Sequence, residues 1–235
     1  MRALLPAVTL VLLLLGLPHA APWFHAGWPA LSHPLYVRTS FVALTVSHLL
    51  LVVSATALAT AVGLALGILA TRPAGRSLLP TVRAVAVVGQ TFPPVAVLAI
   101  AVPLLGFGAA PTFVALVLYG VLPVLGQTVA GLDAVPAAAL HAADGMGYGR
   151  WRRLIDVELP LAAGPIMAGI RLSAIVSVGT ATIGSAVGAT TLGSPIVEGL
   201  VGNNTAYVVQ GALLVGALAL TVDGLLAMAA RGVGQ

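Results

Sequence analysis

Apolar residues run along this chain in six long stretches, about 3–17, 41–70, 84–105, 112–132, 161–187 and 207–230, parted by short intervals where glycine, proline and charged residues collect. A helix rises about 1.5 Å per residue, so roughly 20 apolar residues cross the ~30 Å of bilayer hydrocarbon. Every stretch but the first is long enough to do so alone. None alternates apolar with polar residues, as the strands of a spanning barrel do. The pattern predicts an all-α fold, a polytopic transmembrane helical bundle of about six spans.

The third stretch is interrupted at Phe92-Pro93-Pro94. Each proline lacks an N–H and clashes with the preceding turn, so a helix must break there. Irregular backbone at membrane depth survives only against protein or a cavity, which points the break at the bundle interior. Gln90, Thr91, Thr180 and Thr182 are polar groups deep in apolar stretches and should face the bundle interior. They can line a polar cavity or simply hydrogen-bond within and between helices. Gly63-x-x-x-Gly67 and Gly184-x-x-x-Gly188 predict close helix approach. Arg171 and Asp223 fall at similar depth in the fifth and sixth spans, and a charge alone in hydrocarbon is costly, so the two are expected to pair. A snorkelling Arg171 is the rival reading.

Composition agrees with the lipid environment: 60% of the residues are hydrophobic and 7% charged. The net charge of +4 comes from arginine and, in a membrane chain, marks a cytoplasmic face rather than nucleic-acid binding. Arg2, Arg72, Arg76, Arg83, Arg150, Arg152, Arg153 and Arg231 all fall on one side of a six-span model, against Arg38 on the other. That side is expected to be cytoplasmic, with both termini on it and the chain in the plasma (inner) membrane. There is no cysteine for a disulfide or thiolate metal site, and no lysine for a P-loop. No cofactor is predicted.

Residues 1–40 read as an N-terminal span and an extracytoplasmic loop. The first stretch also fits a secretory signal peptide, and cleavage stays open. Trp23, Phe24, Trp28 and Tyr36 in the loop suit an interfacial belt. His19, His25 and His33 share no helix face with a carboxylate, so no metal site is predicted.

Between spans four and five lies a polar connection, 133–160, far longer than joining two spans requires. Pro136 suits a helix start, 137–143 is strongly helical, and Gly145 with Gly147 allows a sharp turn before a second short helix near Gly149. The expected product is a helical elbow exposing Leu140, Met146, Trp151 and Leu154 beside basic residues. Such a knob can dock in a protein groove or lie on anionic lipid.

The run His141-Ala142-Ala143-Asp144-Gly145-Met146-Gly147, followed by Trp151, Arg152, Leu154 and Glu158-Leu159-Pro160-Leu161, resembles the EAA loop of ABC importer permeases. Ala168-Gly169-Ile170-Arg171, Gly179-Thr180-Ala181-Thr182-Ile183, Thr191-Leu192-Gly193, Gln90-Thr91-Phe92-Pro93-Pro94 and Pro103-Leu104-Leu105-Gly106-Phe107-Gly108 are similar to the branch importing glycine betaine, choline and carnitine. The resemblance spans about 47–202. It implies that 41–235 is a permease domain of type I ABC importer kind, whose elbow couples to a separate ABC ATPase subunit through His141, Ala142, Ala143, Asp144, Gly145, Met146, Gly147, Trp151 and Arg152. It also implies an extracytoplasmic substrate-binding protein, a second permease subunit (homodimer and heterodimer both fit), and a pathway touching Gln90, Thr91, Phe92, Pro93, Thr180 and Thr182. Two departures stand out: the family's leading Glu is His141 here, and the usual Gly-Ala-Gly-Gly-Leu-Gly reads Gly188-Ala189-Thr190-Thr191-Leu192-Gly193. A methionine-type permease has a similar elbow. A secondary transporter would predict repeats or acid relays, and neither is evident.

Overall fold

The computed structural model describes residues 4–233, and side chains within 4–230 other than Gln90. Arg2 and the side chains of Gln90 and Arg231, used in the sequence reading, lie outside the described residues.

The core is a triad of long helices, α3 (Phe41–Thr71), α6 (Ala109–Asp133) and α9 (Leu159–Gly184). In lipid there is no hydrophobic force between helices, so small residues that let backbones approach must hold them. The α3 face that packs inward carries Leu44, His48, Val52, Ala55, Ala59, Gly63 and Gly67, spaced three or four residues apart. A Cβ on Gly63 would stand 2.8 Å from Cβ of Val124, and one on Gly67 2.7 Å from Cβ of Thr128, so α3 and α6 run parallel in close contact. On the antiparallel α6–α9 seam, Gly131 meets Ala162, Gly120 meets Ser173 and Gly184 meets Thr112. Gly188, paired with Gly184 in the sequence pattern, serves differently: it lies past the helix end with φ +87°, where it turns the chain.

Further helices pack around this triad. α4 (Leu79–Thr91) and α5 (Pro94–Leu105) are the halves of the interrupted stretch, bent by 94°, and the Tyr119 hydroxyl of α6 donates to the freed carbonyl of Phe92. α1 (Leu5–Gly16) lies on α11 (Thr205–Val233), and a 79° bend leads into α2 (Ala21–Gly27). Among the described residues, four helices are long and apolar enough to span, or six if each bent pair counts as one. The expected aromatic belt is mostly internal: Trp23 is exposed, but Phe24 is buried against Trp28, and Tyr36 packs between Phe41 and Tyr207.

The chain from 33 to 36 is strapped to α11. Gln210, wholly buried, donates to the Pro34 carbonyl at 2.6 Å and accepts from the Tyr36 amide at 3.0 Å, while Asn204 donates to the His33 carbonyl. A short helix the hydropathy pattern missed, α10 (Ser194–Val201), completes this end. Its Glu198 accepts from the Tyr36 hydroxyl and pairs with Arg38.

Candidate functional site

At the opposite end, α6 runs into the elbow. Val135 and Pro136 leave the α6 axis, and α7 (Ala137–Gly145) starts with Pro136 at its N-cap. Gly147, at φ +76°, reverses the chain where a side chain would be strained, and Tyr148 donates back to the Ala143 carbonyl. α8 (Arg150–Arg153) follows and does not end. It passes through a π turn, Leu154–Glu158, directly into α9, making one apolar helix over Arg150–Val187. The second short helix expected from the sequence is thus the root of the fifth span.

That continuity corrects the exposed set. Leu154, Glu158, Ala162 and Ile166 fall at intervals of four on the inner face, so Leu154 is buried at 4% exposure beside Leu132, Ala162 and Ile166, and Leu140 is half-buried. Ile155 takes the outward place, with Met146 (65% exposed) and Trp151 (76%). His141, Ala142, Asp144, Gly145, Gly147 and Arg152 are also exposed, whereas Ala143 is buried beneath them. Arg152 lies over the Tyr148 ring at 4.2 Å and pairs with Asp156 at 3.3 Å.

Beneath the elbow runs a chain of charges. Arg153 donates through Nη1 to both Asp144 oxygens at 2.8 and 2.9 Å and through Nε to Glu158 Oε1 at 3.0 Å. Glu158 Oε2 accepts from Arg72 Nη2 at 2.5 Å, and Arg72 in turn donates to the Ile68 carbonyl and the Thr71 hydroxyl of α3. Glu158 is 5% exposed. Both of its oxygens are held by arginines, Arg72 on one and Arg153 on the other, which compensates the burial of the carboxylate. Sequence reasoning singled out Asp144 and missed Glu158, Arg153 and Arg72 as partners. The available signal was an acid, Glu158, set among apolar neighbours at the head of a span. A second, exposed tie joins Arg83 of α4 to Asp133 of α6 at 2.6 Å.

The pathway candidates divide. Thr91, Phe92 and Pro93 are exposed at the α4–α5 break, where Phe92 and Tyr119 border a recess of about 240 Å³, and Thr91 bonds the Val88 carbonyl of its own helix. Thr180 is buried in α9, and Thr182 bonds the Val178 carbonyl of the same helix. No hydrogen bond joins these two groups among the described residues.

Arg171 and Asp223 face each other in a two-pronged pair, Nε to Oδ1 at 2.5 Å and Nη2 to Oδ2 at 2.8 Å, which ties α9 to α11. Asp223→Leu or Arg171→Met alone is expected to destabilise by about 2 to 3 kcal/mol, since each leaves a charge without its partner in lipid. The double substitution should be milder than either single one. Unfolding in detergent micelles measures this, and a double variant as damaged as the sum of the singles would refute the pair's importance.

A family profile described as the binding-protein-dependent transport system inner membrane component matches residues 63–235. The chain belongs to this family. As one of these inner-membrane components it is a multi-pass transport subunit. Similar members include the osmoprotectant import permease protein OsmY of Salmonella typhimurium, 40% identical over 184 residues that cover 78% of each chain. Another is the glycine betaine/carnitine/choline transport system permease protein OpuCB of Bacillus subtilis, 40% identical over 73% of this chain and 82% of that one. The choline transport system permease protein OpuBB of the same organism is 38% identical over 80% and 85%. Among solved structures, one of the inward-facing conformations of the MetNI methionine ABC transporter aligns with 83% of this chain and 96% of its own at a TM-score of 0.74 and 22% identity, which places the fold among ABC importer permeases.

Proposed function

We propose that this chain is the permease subunit of an ATP-driven importer of osmoprotectants such as glycine betaine, choline or carnitine. The observation that carries the reading is the elbow: an apolar pair, Met146 and Trp151, exposed on a sharp turn and ringed by Arg150 and Arg152, where the chain needs no such structure to connect two spans. Apolar anchors with a charged rim are what one protein seats in another's cleft. An ABC ATPase docks there, on His141, Ala142, Asp144, Gly145, Met146, Gly147, Trp151 and Arg152, with Ala143 packing behind. The elbow end is then cytoplasmic, as are both termini, and the strap at 33–38 faces outward toward an extracytoplasmic substrate-binding protein. Residues 41–235, with the coupling loop 133–160, form the permease domain, and a second permease subunit completes a pathway bordered by the α4–α5 break, Gln90 to Pro93, and by Thr180 and Thr182. The names of the similar permeases supply the substrate class. Nucleotide on one side and loaded receptor on the other would bias the permease between inward and outward access.

Reconstitution tests this directly. With its ATPase and receptor in proteoliposomes, the chain should take up radiolabelled glycine betaine, choline or carnitine only with ATP, and unlabelled methionine should not compete. Uptake without ATP, or uptake displaced by methionine alone, would overturn the proposal.

A further inference from the structure

The pair between Arg153 and Glu158 joins residues five apart. In an α-helix, each residue advances about 100° around the axis, so side chains five apart point about 140° away from each other and do not meet. In a π turn, with its i→i+5 hydrogen bonds, they stack. Here the Leu159 amide bonds the Leu154 carbonyl in that pattern, directly alongside the pair. The Arg153–Glu158 bond therefore exists in one register of this turn and is lost if the turn relaxes to α.

The same Glu158 holds Arg72, which caps the end of α3, and the same Arg153 holds Asp144 at the far end of α7. The elbow is joined to α6 and α9 through the main chain. Its polar tie to α3 runs only through these four side chains among the described residues, beside the packing of Leu64 and Ile68 on the Leu154 cluster.

We infer that Arg153 and Glu158 are positioning residues for transport: their pair latches the Leu154–Glu158 turn in its π register, and release of that latch lets the elbow rotate against α9. A one-residue change of register turns everything beyond it by about 100°, enough to swing Met146 and Trp151 to a new bearing while Glu158 keeps Arg72. π turns are rare and are found frequently at functional sites. The rotation as a part of import rests on the permease reading given above, but the latch itself does not.

Two measurements separate them. The chain contains no native cysteine, so spin labels at Ser77→Cys, in the turn that follows α3, and Ala138→Cys on α7, both exposed, report the distance between that turn and the elbow in the purified full chain in lipid nanodiscs. The expected result is one dominant distance for the otherwise unaltered chain and a second population, shifted by several ångströms, with Glu158→Gln. An unchanged distribution in Glu158→Gln overturns the latch whether or not an ATPase binds. In the reconstituted importer, Glu158→Gln and Arg153→Ala should retain ATP hydrolysis within about twofold and lose at least about tenfold in solute moved per ATP. Arg153→Lys, which keeps a cation over Glu158, should recover most of it. Loss of ATPase co-purification in parallel with uptake, or no rescue by lysine, would reduce these residues to a structural role and refute the inference.

Discussion

Alanine at Gly193 is expected to destabilise the folded chain by about 3 kcal/mol or more, a large effect for one methyl group. The added Cβ would lie 2.0 Å from the Thr182 carbonyl oxygen and 2.8 Å from its carbon. Those atoms belong to the α9 backbone and cannot rotate aside. The loop is held there from several directions: Thr191 donates to the Ala181 carbonyl and accepts from the Gly193 amide, the Leu192 amide donates to His48 Nδ1, and the Ser47 hydroxyl donates to the Thr190 carbonyl. Gly184 makes an informative contrast, because its Cβ would strike the Thr112 side chain, with Cγ2 at 2.3 Å. Gly184→Ala should be partly rescued by Thr112→Ala, whereas no side-chain substitution should rescue Gly193→Ala. Thermal unfolding in detergent checks both, and a Gly193→Ala chain that melts with the parent would show the loop to be movable.

Removing the two anchors of the elbow should abolish ATPase association without unfolding the chain. Met146 and Trp151 are exposed in the free subunit, so Met146→Ala and Trp151→Ala leave no cavity behind. At an interface, truncating a central aromatic commonly costs about 2 kcal/mol, or roughly 30-fold in affinity, and the pair together more. The double variant should therefore lose co-purification with the ATPase and at least about 30-fold in uptake, while its melting temperature stays within about two degrees of the parent. A variant that still imports at half the parental rate would place the docking surface elsewhere.

The spans were legible because apolar length carries that signal directly: Phe41–Thr71 and Ala109–Asp133 lie within three residues of the stretches read from hydropathy. The break at Phe92-Pro93 was legible because proline chemistry admits no other outcome. What hydropathy could not give was register at the polar boundary. Arg150 to Glu158 is too charged to count as a span, yet it is helical and continuous with one, since its inner face (Leu154, Glu158) is either apolar or fully paired. The aromatic loop was misjudged for a related reason. Phe24 and Tyr36 have an apolar body that suits an interface or a core equally, and the partners that decide, Trp28 and Tyr207, come into range only through the bend and the strap. The nine positions proposed for coupling came from resemblance alone, and the charged backing beneath them emerged only when Arg72, eighty-six positions from Glu158 in the chain, came into contact with it.

The amide of Gln210 fastens two stretches that lie far apart in the chain. Residues 33–36 lie ahead of the portion matched by the family profile, yet they saturate a side chain that belongs to that portion. A homologue that dispensed with this leading stretch while retaining glutamine there would strand a donor and an acceptor in hydrocarbon, a liability of several kcal/mol. Loss of one should thus be accompanied in descendants by an aliphatic replacement at the other, a correlated change that alignments of shortened and full-length members can reveal.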